Sequence, residues 1–570
     1  MQRRTRIILG IDAGTTSVKT VAFALDGRIE GVARSTVHLD RGDDGRAEAD
    51  MDHIWDAATS TITAVVDQLR DLEDGGGNDR EGGGEDGAEI VAIGITGQGD
   101  GAWFVDDRGR PVGRAALWLD GRANDRLEGW LQDDRAAAVQ RATGSPLFAG
   151  ALPLLVDELT AADPTLRDRV AHHLNCKDWL RYRLTGAMAT DPSEASRTYL
   201  DTATGAYSDD LLAALGQEDV RALLPEVRDP QSIAGVIDPH VADHLGLEHG
   251  IPVIVGLVDT AAAGVGLGAI GDAQGYAILG TTGFVGLNHP TRAGVRREES
   301  IVLATGRGSQ VLESLAPMTG TPNLDWVREC LGLTDQHWSD VERQAATVPP
   351  GSGGIVYLPY GSPSGERAPF FDAVASASWL GMSITTTSAE LLRSVYEGLA
   401  YSLTECLDAL GLHGTLLICG GGSDSNLLCS ILADVSGREI VRQEEPEVGA
   451  RGVATLALAA VGLAPDLAAA VAQLAPRSST FSPDSVRHEL YREAYAAFLA
   501  TRDAMKPHWS ALRRLRTHSG QTPVGSGAPQ PTGNRDDVAD GLEPRAGSAP
   551  ATAPATAQQA PAPAHATASR

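Results

Sequence analysis

The sequence contains two short glycine-threonine corners, each placed after an apolar run. The first, residues 14–16, follows the apolar residues 7–11 and Asp12, and the second, residues 280–283, follows the apolar run 276–279. Glycine permits a tight turn and the close approach of a ligand to the backbone. Backbone N–H groups and threonine hydroxyls in such turns can hold phosphate oxygens. One corner alone is equally typical of an ordinary hairpin, whereas two corners facing each other across a cleft would hold a triphosphate.

Two aspartates lie at the ends of apolar runs, and a carboxylate at such a position can take part in phosphate chemistry. Asp12 precedes the first corner and could hold Mg²⁺ through water, because Mg²⁺ keeps most of its hydration shell in proteins. Lys19 could add positive charge toward the same phosphates. Asp259 ends the predicted strand 251–259 and precedes a predicted helix start in the small residues 260–264. It could be a helix N-cap, or a general base that takes a proton from a substrate hydroxyl.

The common nucleotide-binding motifs are missing or out of context. A P-loop requires a Gly-Lys pair, and Lys19, Lys177 and Lys506 are the only lysines, none of which follows glycine. Residues 266–271 spell G-x-G-x-x-G, but they continue a small-residue run that is typical of a helix. The sequence therefore does not favour a dinucleotide site there.

Length, charge and cysteine use narrow the class of protein. A chain of 570 residues exceeds one ordinary domain, and a net charge of −28 argues against a general nucleic-acid binder. The five cysteines are scattered without a C-x-x-C pair, as in reduced intracellular proteins. No apolar stretch approaches the ~18 residues of a membrane span. We expect a cytoplasmic protein with neither nucleic-acid nor membrane partners; a homodimer is the general expectation for its oligomeric state.

The elements that must position these residues alternate between strands and helices. Runs 7–12 and 18–25 read as a hairpin, and runs 89–97, 251–259, 276–288 and 415–422 contain further strands. Helical periodicity marks residues 50–71, 176–185, 388–410, 424–436 and 448–462. This alternation predicts two similar α/β domains, residues 1–253 and 254–507.

Two segments lack the apolar side chains that a folded core requires. Residues 73–88 contain glycine and charge almost exclusively, and predict a flexible surface loop. The end of the chain, 508–570, is predicted to be a disordered tail, since from about Thr517 it is rich in proline and alanine with almost no large apolar residue.

Several motifs together resemble the FGGY family of carbohydrate kinases over about residues 7–465. The two corners and the segment G-L-V-D-T-A-A-A-G-V-G at 256–266 occur in the family's order. The most discriminating match joins A-x-W-x-G-M at 377–382 to E-L-x-x-S-V-Y-E at 390–397. The segments 365–369 and 419–423 are also similar to family segments.

The resemblance implies an actin-like duplicated fold with ATP and Mg²⁺ between two related domains. It implies that Asp259 is the catalytic base and that Asp12 serves Mg²⁺ and phosphate. The implied phosphate-binding residues are Gly14, Thr15, Thr16, Lys19, Gly280 and Thr281. The implied adenosine-binding residues are Gly420, Gly421, Ser425 and Asn426.

The same resemblance places the sugar-facing residues in the first domain. They are Gln98, Gly99, Asp100, Trp118 and Asp120, together with the base Asp259. A carboxylate such as Asp100 can accept hydrogen bonds from hydroxyls, and Trp118 can either cover a carbon chain or pack in the core. The segment is most similar to erythritol kinases and related polyol or L-xylulose kinases, so erythritol is the leading candidate and xylulose the alternative. An acid sugar would require a nearby cation.

The chain departs from the family's pattern in one segment, and two rival functions must be weighed against the kinase. The family's N-terminal pattern has a Lys and a Trp in the segment that here occupies residues 148–156, and neither is present. An actin-like ATPase would lack the 377–397 pattern, and a non-enzymatic sugar sensor would be expected to lose Asp259. Both features are present, which favours the kinase.

Overall fold

The computed structural model describes residues 4–74, 88–445 and 447–518. Most of the predicted loop at 73–88 and of the predicted tail at 508–570 therefore lies outside the described residues. The part of that tail up to His518 belongs to a helix that begins at Ser485.

The strands of the first half follow the predicted runs closely at the centre of the sheet. They are β1 Thr5–Ala13, β2 Ser17–Ala24, β3 Ile29–Thr36, β4 Leu39–Arg41, β5 Ala47–Ala49, β6 Ala88–Gly97, β7 Trp103–Val105, β8 Ala115–Ala116, β9 His172–Leu174, β10 Leu200–Asp201, β11 Ala206–Tyr207, β12 Ile233–Val236 and β13 Pro252–Ile254. Those of the second half are β14 Gly275–Leu279, β15 Gly283–His289, β16 Ile301–Ala304, β17 Val311–Leu315, β18 Val356–Leu358, β19 Ser378–Leu380, β20 Leu416–Cys419, β21 Ile440–Gln443 and β22 Ser478–Phe481.

The helices are distributed over both halves. In the first half they are α1 Met51–Asp74, α2 Asn124–Gln132, α3 Asp134–Thr143, α4 Leu152–Ala162, α5 Leu166–Arg169, α6 Cys176–Thr185, α7 Pro192–Ala195, α8 Asp209–Leu215 and α9 Pro239–Leu245. In the second half they are α10 Asp259–Leu267, α11 Pro322–Cys330, α12 Trp338–Ala346, α13 Ser388–Leu410, α14 Asn426–Ser436, α15 Val448–Ala460, α16 Leu467–Gln473 and α17 Ser485–His518. None of the helices within the described ranges is long and apolar enough to cross a membrane.

The two large sheets share one plan. The first has the order β12-β13-β6-β1-β2-β3, and the second has the order β16-β17-β15-β14-β20-β21-β22. In each, a central strand, β1 or β14, forms an antiparallel hairpin with the next strand and pairs in parallel with a later one, β6 or β20. The predicted duplicated α/β fold is confirmed.

Helix α15 lies against the first sheet although it belongs to the second half of the chain. A Cβ at Gly10 would lie 2.2 Å from the Ala450 carbonyl oxygen, and one at Gly94 would lie 2.3 Å from that of Val453. Glycine at both strand positions is therefore required for this close approach.

Helices α10 and α15 pack through glycine in the same way. A Cβ at Gly266 would lie 2.0 Å from the Val448 carbonyl oxygen, and one at Gly452 would lie 1.9 Å from that of Ala262. The glycine-rich run 266–271 thus begins inside α10, as expected, and its first glycine serves helix packing.

The predicted strand 251–259 is shorter than expected. Strand β13 ends at Ile254, and Asp259 is the first residue of α10. The cause is Gly256, which has φ +79° and passes so close to β6 that a Cβ would lie 2.0 Å from the Ile95 carbonyl oxygen. The chain bends there and starts a helix. The N-cap of that helix is Val258, so the N-cap interpretation of Asp259 is wrong.

Candidate active site

The first corner is a tight turn bonded to two predicted sugar-facing residues. The Gly14 N–H donates to the Ser17 carbonyl at 3.0 Å, which closes the turn between β1 and β2. The Thr15 hydroxyl donates to Gln98 Oε1 at 3.0 Å and accepts from Trp118 Nε1 at 3.1 Å. The structure therefore joins one predicted phosphate-binding residue directly to two predicted sugar-facing residues.

Gln98 directly follows β6, and one polar atom of its side chain lacks a hydrogen-bond partner among the described residues. Its backbone N–H donates to the Ala13 carbonyl at 2.9 Å, and its side chain is 2% exposed. The side-chain Nε2 has no hydrogen-bond partner among the described residues. A buried donor without a partner is costly, which makes this nitrogen suited to a ligand oxygen.

Asp12 and Lys19 lie opposite each other on the β1–β2 hairpin. Burial raises the pKa of Asp12 to about 6, with Lys19 lowering it and Glu447 raising it further. The Lys19 ammonium lies 3.1 Å from Glu447 Oε2, at the start of α15. A Cβ at Gly449 would lie 2.8 Å from Asp12 Oδ2, so glycine leaves room for the carboxylate.

Asp259 occupies the first turn of α10 beside the end of β6. Its Oδ1 accepts a hydrogen bond from the Thr260 N–H at 2.6 Å. The hydroxyl of Tyr276, on β14, donates to the Thr260 carbonyl at 2.7 Å and ties this turn to the second sheet. Burial, followed by the negative charge of Asp12, raises the pKa of Asp259 to about 7. A carboxyl with such a pKa can accept a proton near neutral pH.

Asp100 is held by an arginine that the sequence analysis did not identify. Arg197 Nε lies 3.2 and 3.3 Å from the two carboxylate oxygens of Asp100. Burial raises the pKa of Asp100, and Arg197 opposes this rise. The backbone of Asp100 has φ +62°, a left-handed conformation that Asp and Asn tolerate better than most residues.

Gly99 faces a second buried acid. A Cβ at this position would lie 2.6 Å from Val258 Cγ2 and 3.1 Å from Glu194 Oε2, so a side chain would push against both. Neither carboxyl oxygen of Glu194 has a hydrogen-bond partner in the described part of the chain. Burial, with the negative charges of Asp178, Asp191 and Asp100, raises the pKa of Glu194 well above its ordinary value, against the opposing effect of Lys177.

Trp118 and Asp120 differ in how far they are available to a ligand. Trp118 is 37% exposed and is therefore not a core residue. Asp120 is buried, and its carboxylate accepts from Ala47 N at 3.0 Å and from Arg122 N and Nε at 3.0 and 2.9 Å. These contacts favour a structural role for Asp120 in holding the loop beside Trp118.

The second corner is held by backbone contacts. The Gly280 carbonyl accepts from the Thr321 N–H at 2.9 Å, and the Thr281 side chain is exposed. Gly420 lies beside this corner, because a Cβ there would be 2.8 Å from the Leu279 carbonyl oxygen. Gly421 follows it and begins a short 3₁₀ helix.

The other two predicted adenosine-binding residues have partners within the protein. Ser425 caps α14 by accepting from the Leu428 N–H at 3.0 Å. Asn426 Oδ1 accepts from Arg442 Nη1 at 2.9 Å. The structure therefore places Gly420 and Gly421 at the second corner and gives Ser425 and Asn426 a role in shaping the loop that follows.

The sequence analysis missed four residues of this region: Glu194, Arg197, Glu447 and Gly449. Glu194 and Arg197 belong to the segment D-P-S-E-A-S-R at 191–197, most of which is buried despite its polarity. A polar segment between buried elements was the available signal. The signal for Glu447 and Gly449 was the glycine-rich start of a helix that follows an acid.

Comparison with known proteins identifies the family to which the chain belongs. Residues 7–266 match the N-terminal domain of the FGGY family of carbohydrate kinases, and residues 275–461 match its C-terminal domain. The chain is 32% identical to an erythritol kinase of Brucella abortus (strain 2308), over 90% of this chain and 99% of that protein. It is 27% identical to the L-xylulose/3-keto-L-gulonate kinase of Escherichia coli (strain K12), over 87% and 96%.

Solved structures show the same fold. A gluconate kinase from Lactobacillus acidophilus superimposes with a TM-score of 0.79 and 22% identity, over 89% of this chain and 100% of that one. The two paired sheets and the two matched domains are consistent with this fold. The chain therefore belongs to the FGGY family of carbohydrate kinases and is a phosphotransferase that uses ATP to phosphorylate a sugar or polyol hydroxyl.

Proposed function

We propose that the protein transfers the γ-phosphoryl group of ATP to a hydroxyl of a small uncharged polyol, with erythritol as the leading substrate. The observation that carries this proposal is the direct hydrogen-bonded link from Thr15, in the phosphate corner, to Gln98 and Trp118, in the sugar subsite. The 32% identity with an erythritol kinase supports the substrate.

The acceptor hydroxyl is activated by Asp259. Its Oδ1 is occupied by the Thr260 N–H, and its Oδ2 accepts no hydrogen bond from the residues that the structure describes. That oxygen takes the hydroxyl proton as the substrate oxygen attacks phosphorus. Gln98 Nε2 and the Asp100 carboxylate orient the substrate, and the exposed face of Trp118 covers its carbon chain.

The phosphates are held by the two corners, through the N–H groups of Thr15, Thr16 and Thr281 and the hydroxyls of Thr16 and Thr281, while the N–H groups of Gly14 and Gly280 close the turns. Asp12 fits a magnesium-binding role: its carboxylate accepts no hydrogen bond within the described ranges, and burial raises its pKa. The described residues contain no cluster of three or more ligands, so the metal would be held by Asp12, water and phosphate, as Mg²⁺ prefers. Magnesium supplies neutralisation of phosphate charge.

The second candidate substrate is a pentulose. A relative at 27% identity is named an L-xylulose/3-keto-L-gulonate kinase. A ketose carbonyl oxygen would accept from Gln98 Nε2 as well as a hydroxyl would, so this subsite geometry is compatible with both classes.

An ADP-release screen with the purified protein tests the proposal. The panel comprises erythritol, other tetritols, glycerol, pentitols, D- and L-xylulose and ribulose. We expect the highest kcat/KM with erythritol, and ¹³C NMR of the product identifies the phosphorylated hydroxyl. A higher kcat/KM with a pentulose favours the second candidate, and equal low rates with all compounds contradict both.

The domain limits, location and assembly remain proposals. We propose domains at 1–253 and 254–507; β13, the last strand of the first sheet in chain order, ends at Ile254, one residue past the first limit. Helix α17 continues to His518, so the expected start of the tail at residue 508 is corrected. We also propose a cytoplasmic homodimer without nucleic-acid partners. Light scattering after size-exclusion chromatography measures the oligomeric state.

A further inference from the structure

Arg197 is a buried cation in the sugar subsite. Its side chain is 8% exposed, its Nε contacts both oxygens of Asp100 at 3.2 and 3.3 Å, and its guanidinium carbon lies 5.1 Å from the ring centroid of Phe148. Its terminal nitrogens, Nη1 and Nη2, have no hydrogen-bond partner among the described residues. The contact of Nε with Asp100 and the contact of one face with Phe148 thus fix the guanidinium. Its terminal nitrogens can still donate hydrogen bonds to a ligand.

The backbone of Asp100 is fixed on both sides. Its carbonyl accepts from Trp103 Nε1 at 3.2 Å, and the next residue, Gly101, donates from its N–H to the Gly150 carbonyl at 3.2 Å. Of the other ionisable groups that act on this site, Glu194 and Asp259 are acids, and the Lys177 ammonium is paired with Asp178 and Asp191 at 2.6 and 2.8 Å. Arg197 is therefore the cation that compensates Asp100.

We propose that Arg197 is a specificity-determining residue, which pairs with Asp100 so that the sugar subsite selects uncharged polyols or ketoses over sugar acids and amino sugars. The carboxylate accepts from substrate hydroxyls, and the terminal nitrogens of Arg197 donate to a hydroxyl or carbonyl oxygen. This inference rests on the proposed sugar subsite and deepens it.

The physical reason is charge balance in a desolvated site. A sugar carboxylate would meet a guanidinium that Asp100 already neutralises, together with the negative charge of Asp259, so it would lose hydration without gaining a free partner. An ammonium group would meet a carboxylate that Arg197 already neutralises. Removal of one member of the pair would leave the other available to a substrate of opposite charge.

Three four-carbon probes and three variants test the pairing. The probes are erythritol, erythronate, which carries a carboxylate at one end, and 1-amino-1-deoxyerythritol. The variants are Asp100→Asn, Arg197→Met and the double variant. Asn tolerates the left-handed backbone of residue 100, so Asp100→Asn removes the charge without disturbing the loop. The matched control is Asp434→Asn, which breaks a similar pair, with Arg487 at 2.6 Å, in the second half of the chain.

We expect Asp100→Asn to raise the ratio of kcat/KM for erythronate to that for erythritol roughly 10- to 100-fold, and Arg197→Met to raise the corresponding ratio for the amine by a similar factor. The double variant should restore both ratios to within about threefold of wild type, and Asp434→Asn should leave them unchanged. Ratios of kcat/KM within one variant do not depend on the fraction of folded protein. Calorimetric titration with the same probes gives the corresponding ratios of affinity without turnover.

The outcomes separate this inference from the proposed function. Normal turnover of erythritol by the wild type, with an erythronate ratio that Asp100→Asn does not raise, overturns the inference alone. A wild type that phosphorylates none of the sugars in the screen overturns the proposed function and the inference with it.

Discussion

The two glycine-threonine corners have the same scaffold and different surroundings. Each connects a central strand to its antiparallel neighbour, β1 to β2 and β14 to β15, next to a parallel strand. Two residues before the glycine, however, the first corner has Asp12 and the second has Ile278. The duplicated fold provides two similar turns, and only the first has an acid two residues before its glycine.

The threonines differ as well. Thr15 is bonded to Gln98 and Trp118, whereas Thr281 is exposed and its hydroxyl has no partner in the described ranges. The first corner is thus joined to the proposed acceptor subsite, and the second is held by backbone contacts beside the proposed adenosine site. From this difference we propose that the first half binds the acceptor, and that the second half contributes the base Asp259 and holds the nucleotide.

The largest effect is expected from Asp259→Asn, which removes the base at the junction of the two halves. We expect kcat/KM to fall roughly 10²- to 10⁴-fold, with ADP binding unchanged. The variant should also unfold at a higher temperature at pH 8. The folded-state pKa, about 7, lies above the ordinary value of 3.8, so the ionised carboxyl costs stability at high pH, and the amide removes this cost. Initial rates and thermal unfolding measure the two effects, and full activity would contradict the assignment.

Asp12→Asn tests the acid that distinguishes the first corner. We expect kcat to fall on the order of 10²-fold, because one electrostatic contribution to phosphate transfer is lost. The magnesium concentration for half-maximal rate should rise, which a merely structural role would not produce. Unchanged magnesium dependence would remove Asp12 from the metal site. Asp238→Asn, which alters an exposed helix cap far along the chain, is the control.

The pH profile tests the coupling between Asp12 and Asp259. Since the base must be deprotonated, kcat/KM for the acceptor should decrease about tenfold per pH unit below about 7, the pKa of Asp259, and level off above it. Asp12→Asn should move the midpoint to lower pH, because the charge of Asp12 raises the pKa of Asp259. A midpoint that does not move would show that the two carboxyls titrate independently.

The elements predicted most accurately are those whose ends are determined locally. Helix α13 was predicted at 388–410 and has these limits, since a capping box of Thr387 and Glu390 starts it and Gly411, with φ +77°, ends it. The end of the preceding strand is predicted at Asp259 but lies at Ile254, because the bend at Gly256 depends on contact with β6, which is distant in sequence.

The same distinction applies to the site. The two corners and Asp259 are recognisable from short motifs. The pair of Arg197 and Asp100 spans 97 residues, and Glu447 reaches Lys19 from the opposite half of the chain, so no local pattern contains these contacts. Burial also decides which polar atoms remain without partners, such as Gln98 Nε2, and burial follows from the assembled fold.

The smallest effects are expected from a matched pair of substitutions, Thr15→Val and Thr281→Val, which test the difference between the corners directly. Thr15→Val leaves the buried Gln98 Oε1 without its donor, so the free energy of unfolding should fall by about 1–3 kcal/mol and KM for the sugar should rise several-fold. Thr281→Val alters an exposed hydroxyl, so stability should change by less than about 0.5 kcal/mol, with KM for ATP raised and KM for the sugar unaffected. Denaturant titration measures the stability of both variants, and initial-rate kinetics measure the KM values. If both variants raise KM for the sugar equally, the two corners are equivalent, and the proposed division between an acceptor half and a nucleotide half is wrong.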